Sequence, residues 1–463
     1  MADKDEVAAI CIFEDDRFPN FFPLTLNRPV YDLLLGTQTT LQRICAELSP
    51  DRLSILCRPY LAEVQKETVR ASAADEGSGD VVLSVNEVGD GPVLFVNGRI
   101  LAYGDELERM IENLEEDTML ARNGLPVAVR LSGEKARSFA GLVLEGLSDE
   151  QVAKVFNRLS SASAGKGDGK ARKGLDFEGW AARNDVSLEE TGAKLLSYHW
   201  QLVQENAPCL VDDFGKMPLR GAAPESELFR GVDIINEDDI VIGPDVEVRS
   251  GTVLDASEGP IIISSGVMIE PNAIIKGPCF IGSKAIIRGG AKVGNGTSIG
   301  ANCRIGGEVG ESVICPYTNK QHEGFLGHSY IGSWVNLGAG SCNSDLKNNY
   351  GKIRAWSAGQ MRETGRQFLG FVCGDHAKIA INTRINTGTV IGFNANVFMD
   401  GFPPKFIPSF TWSIAPDHEE YDLDEALETA RVMMDRRETS LSEAGAEQFR
   451  KIFKLCRVAG HNV

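Results

Sequence analysis

The chain has 463 residues, 43% of them hydrophobic, and no apolar run of 18 residues, so it reads as two or three soluble domains without a membrane span. A net charge of −18 excludes a general nucleic-acid binder. The ten cysteines are scattered without a CxxC pair, and the opening MADKDEVAAI lacks a basic segment followed by a long apolar core. Both features point to reduced thiols in a cytoplasmic protein without a secretory signal.

The first elements alternate between strand and helix. Ala8–Phe13, Leu53–Cys57 and Pro92–Val96 carry strand patterns, with helical patterns over Thr37–Glu47 and Gly104–Glu116 between them. This predicts an α/β domain over residues 1–160. Residues 160–174 (SSASAGKGDGKARKG) read as a flexible linker, the start of a connector over 161–228. Within it, Val186–Asn206 reads as an amphipathic helix capped near Ser187, with Lys194, Leu195, Tyr198 and Leu202 in its pattern.

A repeat follows. From Ile263 an aliphatic residue recurs every six positions, through Ile269, Ile275, Ile281, Ile287, Val293 and Ile299 to Ile305. A small or β-branched residue stands four places after each, and glycine fills many of the intervening places. A helix needs a period of 3.6 and a strand a period of 2. A period of six fits short strands joined by tight turns into a triangular coil, so residues 229–410 are expected to form a left-handed parallel β-helix. Residues 311–330 and 343–371 interrupt the period and read as projecting loops. Phe402–Phe410, with three prolines, breaks the repeat, and Asp422–Leu455 reads as one or two closing helices within a tail over 411–463.

Charge is uneven. Residues 271–410 hold 14 Lys and Arg against 7 Asp and Glu, a basic island in an acidic chain. Such an island suits an anionic ligand such as a phosphate or coenzyme A.

The segment Lys320-Gln321-His322-Glu323-Gly324-Phe325-Leu326-Gly327, continuing through Asn336-Leu337-Gly338-Ala339-Gly340 to Cys342-Asn343, resembles the acetyltransferase site of the GlmU-like family. These bifunctional enzymes join glucosamine-1-phosphate N-acetyltransferase to N-acetylglucosamine-1-phosphate uridyltransferase. Asn343–Tyr350, Gly374-Asp375-His376, Asn386–Thr389 and Phe402–Phe406 resemble a divergent bacterial branch of it. The resemblance covers roughly residues 10–45 and 230–412. It implies acetyl-CoA as donor, a sugar phosphate as acceptor and a homotrimer with coenzyme A between neighbouring coils. It makes His322 the catalytic base, a role that suits an imidazole with an ordinary pKa of about 6.5. It implies that Asn336 and Phe325 meet the sugar, that Lys347 and Lys320 meet its phosphate, and that Gly338, Ala339 and Asn343 face acetyl-CoA. Main-chain amides of Gly338-Ala339-Gly340 are candidate oxyanion donors. The sequence departs from the family at Gln321 (glycine there), Phe325 (a substrate-binding tyrosine there) and His328 (an acid there).

The opening, Phe22-Pro23-Leu24-Thr25 through Arg28-Pro29 to Leu41-Gln42-Arg43-Ile44, resembles sugar-1-phosphate nucleotidyltransferases. Where that family has a glycine-rich phosphate loop, this chain has Glu14-Asp15-Asp16-Arg17. Where it has a metal-binding aspartate, this chain has Arg99, and arginine does not ligate Mg²⁺. The domain therefore reads as a degenerate nucleotidyltransferase, with Arg28, Arg99 and Arg17 as candidate phosphate ligands, no metal ligands, and Mg²⁺ a candidate cofactor only if it is active. The sequence supports three functions: an acyltransferase; a nucleotidyltransferase with a structural β-helix, yielding a UDP-sugar; and a non-catalytic scaffold that binds sugar nucleotides.

Overall fold

The computed structural model describes residues 9–75, 82–163, 174–217, 221–222, 226–414 and 417–460. The first domain is a seven-stranded sheet. Ala9–Phe13 lies in its interior, parallel to Arg52–Leu56 and to the central strand Val93–Asn97, and Leu125–Leu131 pairs antiparallel beyond. The period of two sorts Ala9–Phe13 between two cores. Ile10 and Ile12 meet Leu41, Ile44, Leu107 and Ile111 of the helices on one face. Cys11 and Phe13 meet Phe139 and Val143 on the other. The first helix, Thr40–Leu48, begins with a capping box between Thr39 and Gln42.

The expected helix over Val186–Asn206 is three elements. Ser187–Glu190 extends the large sheet beside Thr118–Ala121, and Lys194–Leu195 pairs with Ile100–Leu101. The helix is His199–Gly215, and the Gln201 side chain accepts from the Ser197 and Tyr198 amides at its start. Long-range strand pairing overrides the local amphipathic pattern. Of the expected linker, residues 160–163 finish the helix Asp149–Ser163, and 164–173 lie outside the described residues.

The repeat forms the expected triangular coil, with three sheets of ten, eleven and six strands, parallel throughout except for the last strand of the second, Asp417–Glu420, which pairs antiparallel. Inward columns stack on themselves: Ile263, Ile281 and Ile299 on one face, Ile269, Ile287 and Ile305 on the second, Ile275, Val293 and Val309 on the third. The corner residues Val267, Ala273, Ala285, Ala291 and Cys303 are buried among them.

Residues 311–330 do not form a loop. Val313–Ile314, Asn319–Lys320 and Phe325–Gly327 continue all three sheets. Ile281 to Ile299 makes a coil of eighteen residues, but Ile299 to Ile314 makes one of fifteen and Ile314 to Ile331 one of seventeen. Lys320 occupies the inward aliphatic column beside Ile305, which also hides the period. Residues 343–371 are an insertion, as expected. It carries the hairpin Arg354–Ser357 with Gln360–Glu363, which docks on the first domain. His199 Nε2 lies 2.8 Å from the Trp356 carbonyl, and Ser357 Oγ donates to the Asn20 carbonyl at 3.0 Å.

The two domains are packed together along one face of the coil. Helix His199–Gly215 covers Val241, Ile262 and Phe280 with Leu210 and Phe214. Asn206 donates to Gly296 O and to Ser298 Oγ. Two closing helices, Leu423–Asp435 and Glu443–Val458, add Phe449 and Phe453 to a core shared by Phe393 and Phe410 of the coil and Phe13 and Phe95 of the sheet. No helix of the described residues is long and apolar enough to cross a membrane.

Candidate functional site

His322 stands exposed at the corner between Asn319–Lys320 and Phe325–Gly327. Lys320 holds this corner from inside. Its side chain is 2% exposed, and Nζ donates to Gly306 O at 2.8 Å and to His322 O at 2.9 Å. Burial pushes the Lys320 ammonium down to about 8. Those bonds cross-link two successive coils beneath the histidine. The expected role of Lys320 as a phosphate ligand gives way to this internal one, because its ammonium points at backbone carbonyls inside the coil.

The next coil lies directly over the corner. Gly340 donates its amide to Glu323 O at 3.0 Å. Gly324 has φ +132°, and a Cβ there would stand 2.1 Å from Ser341 O, so only glycine permits this approach. The Gly338 amide bonds Ile379 O at 2.8 Å. Gly338 and Gly340 are thus engaged within the coil and are not free oxyanion donors. Asn336 is half-buried in register with Asn319. Asn343 turns both ends of its amide to Gly327, accepting from its N–H and donating to its carbonyl at 3.0 Å each. This side chain bridges two coils, and the expected contact of Asn343 with acetyl-CoA is corrected on that ground.

The Phe325 ring lies over Gly327 beside Asp345, where a Cβ would strike both. Lys347 is half-buried in the insertion, its ammonium bonded to Lys352 O. His328, the departure from the family acid, has Nδ1 2.8 Å from Asp345 and Nε2 2.9 Å from Glu311. Burial would lower its pKa, but the two carboxylates outweigh that and raise it to about 9. The folded-state value lies above the ordinary 6.5, so the stabilisation is complete below that pH and is lost as pH rises through about 9. Melting temperature is therefore expected to fall between pH 7 and 9.5 in the native chain and less steeply in His328→Gln. Parallel melting profiles for the two would remove His328 as the cause.

The first domain presents a different picture. Arg99 is 1% exposed, and its guanidinium bonds Asp15 and the Leu196 carbonyl. Burial pushes the Asp15 carboxyl up, and Arg99 more than offsets it, so Asp15 stays below the usual range. Glu14 is likewise sealed against Arg58 at 2.8 Å, with both side chains 0% exposed. Arg28 reaches out of the domain to Asp375 of the coil and to Ser333 Oγ. Arg17, 37% exposed, lies 3.6 Å from Asp16. The expected phosphate roles of Arg99 and Arg28 are corrected: both guanidiniums are held by buried carboxylates. Mg²⁺ does not fit here, because Asp15 is engaged by Arg99 and the described residues hold no cluster of three metal-ligating side chains. Sequence reading missed Arg58 and Asp375 as partners. They lie 44 and 347 positions away from the residues they bind, and no local pattern marks them.

Residues 10–218 match the family model described as sugar nucleotidyl transferase. Shorter stretches of the chain are similar to GlmU-like bifunctional proteins. One curated relative is the bifunctional sugar-1-phosphate nucleotidylyltransferase/acetyltransferase of Sulfurisphaera tokodaii, 33% identical over 91 residues, which are 20% of this chain and 23% of that protein. Another is the bifunctional protein GlmU of Wigglesworthia glossinidia brevipalpis, 29% identical over 142 residues, 30% of each chain. The match thus spans less than a third of the length of either relative. Among solved structures, LpxA of Acinetobacter baumannii aligns over 50% of this chain and 89% of its own, at 13% identity and a TM-score of 0.21.

Proposed function

We propose that the coil transfers an acetyl group from acetyl-CoA to the amine of an amino-sugar phosphate resembling glucosamine-1-phosphate, in the cytoplasm. The observation that carries this reading is an exposed imidazole on a corner fixed from within by a buried ammonium, with Asn336 nearby in the adjoining strand. His322 takes the proton as the amine nitrogen attacks the thioester carbonyl carbon. The tetrahedral intermediate then collapses, the C–S bond breaks and coenzyme A leaves as thiolate, a group with an ordinary pKa of about 8.5. With Gly338 and Gly340 engaged, the Ala339 amide is the donor left in that turn for the developing oxyanion. Phe325 supplies an apolar wall where a hydroxyl contact is absent, and Lys347 lies on the insertion beside the acceptor. A homotrimer completes the site by placing the donor between neighbouring coils. Ile381, 68% exposed one coil beyond Ala339, is a surface such a contact would cover.

In this reading the first domain serves as a docking body, since its sealed Asp15–Arg99 pair occupies the place of a metal and phosphate site. The test is acetyl-CoA consumption by the full chain across a panel of amino-sugar phosphates. Consumption with at least one member is expected. No consumption with any, together with pyrophosphate release from a nucleoside triphosphate and a sugar-1-phosphate, would replace this reading with nucleotidyl transfer. Neither reaction would favour the scaffold.

A further inference from the structure

A cavity of about 250 Å³ lies outside the coil, with all its walls between Arg99 and Glu205. Local sequence builds these walls. Asn123 and Gly124 both take positive φ, as a two-residue hairpin turn requires, and the turn sets Arg122 opposite Leu125 on the first wall. Lys194 stands on the second, paired with Leu101 across a short antiparallel ladder. Gln201 and Glu205, one turn apart on the helix His199–Gly215, form the third. Arg99 also borders the cavity, already neutralised by Asp15.

The other charges on these walls are unmatched. Arg122 gives one N–H to Thr191 O at 3.1 Å and is otherwise exposed. Lys194 Nζ lies 5.9 Å from the centre of the Tyr103 ring and has no hydrogen-bond partner among the described residues. Neither cation has a carboxylate partner among those residues. Glu205 accepts from the Tyr103 hydroxyl at 2.8 Å, and its carboxylate keeps lone pairs for a second donor. Two cations and one carboxylate thus face one small volume. That volume falls below the roughly 300–1,000 Å³ of sites for drug-sized ligands, so it excludes a nucleotide.

We propose that this cavity binds an acidic α-amino acid, with its two carboxylates on Arg122 and Lys194 and its ammonium on Glu205. Charges then match in number and sign, and every unmatched group on the walls gains a charge-assisted hydrogen bond. Leu101 and Leu125 supply apolar contact for the short methylene chain. A neutral sugar of the same size would leave all three charges without a counter-charge. The site stands whether or not the coil transfers acetyl. The helix that carries Glu205 also carries Asn206, which bonds Gly296 and Ser298 of the coil. A ligand on Glu205 therefore touches the helix that ties the first domain to the coil.

The experiment is calorimetric titration of the full chain with L-glutamate, L-aspartate, glutarate, L-glutamine and glucosamine-1-phosphate. Binding of glutamate or aspartate is expected. Glutarate lacks the ammonium and glutamine lacks one carboxylate, so each should bind more weakly by about tenfold or more, the loss of one charge-assisted hydrogen bond. Arg122→Gln, Lys194→Met and Glu205→Gln should each weaken binding of the amino acid by a similar factor. Glu205→Gln keeps an acceptor for Tyr103, so the internal contact survives. Lys154→Gln, on the helix Asp149–Ser163, should leave binding unchanged. Circular dichroism melts confirm that each variant is folded. No binding of either amino acid by the native chain, or equal binding by folded Arg122→Gln and Glu205→Gln, would overturn the proposal. Glucosamine-1-phosphate binding that is lost in Arg122→Gln, with neither amino acid bound, would assign the cavity to a sugar phosphate and overturn it as well.

Discussion

His322→Ala is expected to lower acetyl transfer by about 10²–10⁴-fold, the usual contribution of a positioned general base. The loss should fall on kcat and not on KM, because the imidazole acts on the proton that leaves as nitrogen attacks and contributes little to ground-state binding. The melting temperature should hardly move. The side chain is exposed, and the contact that fixes the corner comes from the His322 carbonyl, which alanine retains. Lys320 continues to bridge Gly306 and residue 322 in the variant. Steady-state kinetics beside a thermal melt separates the outcomes. A variant with full activity would remove the imidazole from the mechanism, and one that fails to fold would show the corner to be structural in a way its bonding does not suggest.

Arg28→Ala is expected to destabilise the chain by about 3 kcal/mol, near the low end for breaking a buried ion pair. Asp375, 3% exposed, would then be left with Asn27 and the Ser333 amide and no counter-charge. Because Arg28 belongs to the first domain and Asp375 to the coil, the loss should also loosen the junction. Calorimetric melting should broaden or split into two transitions as the domains begin to unfold separately. The double variant Arg28→Met, Asp375→Leu should recover much of the loss, since an apolar pair of similar volume avoids burying a lone charge. A change below about 1 kcal/mol would place the pair among weak surface bridges instead.

The coil was legible because its core is a stack of single aliphatic residues, and Ile263 to Ile305 repeat without a gap. Legibility ended where two coils drop from eighteen residues to fifteen and seventeen and a lysine takes the aliphatic column. A fixed-period reading sees a loop there, although the strands continue. His322 was visible through its register with Asn336 and Asn343. What the sequence does not display is the direction each side chain takes. Asn343 and Lys320 face the neighbouring coil, which depends on how far apart successive turns lie. In the first domain the acids of residues 14–16 stood out for want of glycine. That Asp15 is closed off by Arg99 depends on a pairing across 84 positions. Ser187–Glu190, exposed at all four residues, looks helical until the strand beside it is known.

The helix His199–Gly215 lies on a coil face whose outward residues are apolar, among them Val241, Ile262, Val313 and Val390. Excising the repeat as a separate fragment would bare that stripe to water, and large bared apolar patches promote self-association. In this chain the sheet domain therefore acts as a permanent cover for the coil, and the smallest unit that can be studied in solution is the pair.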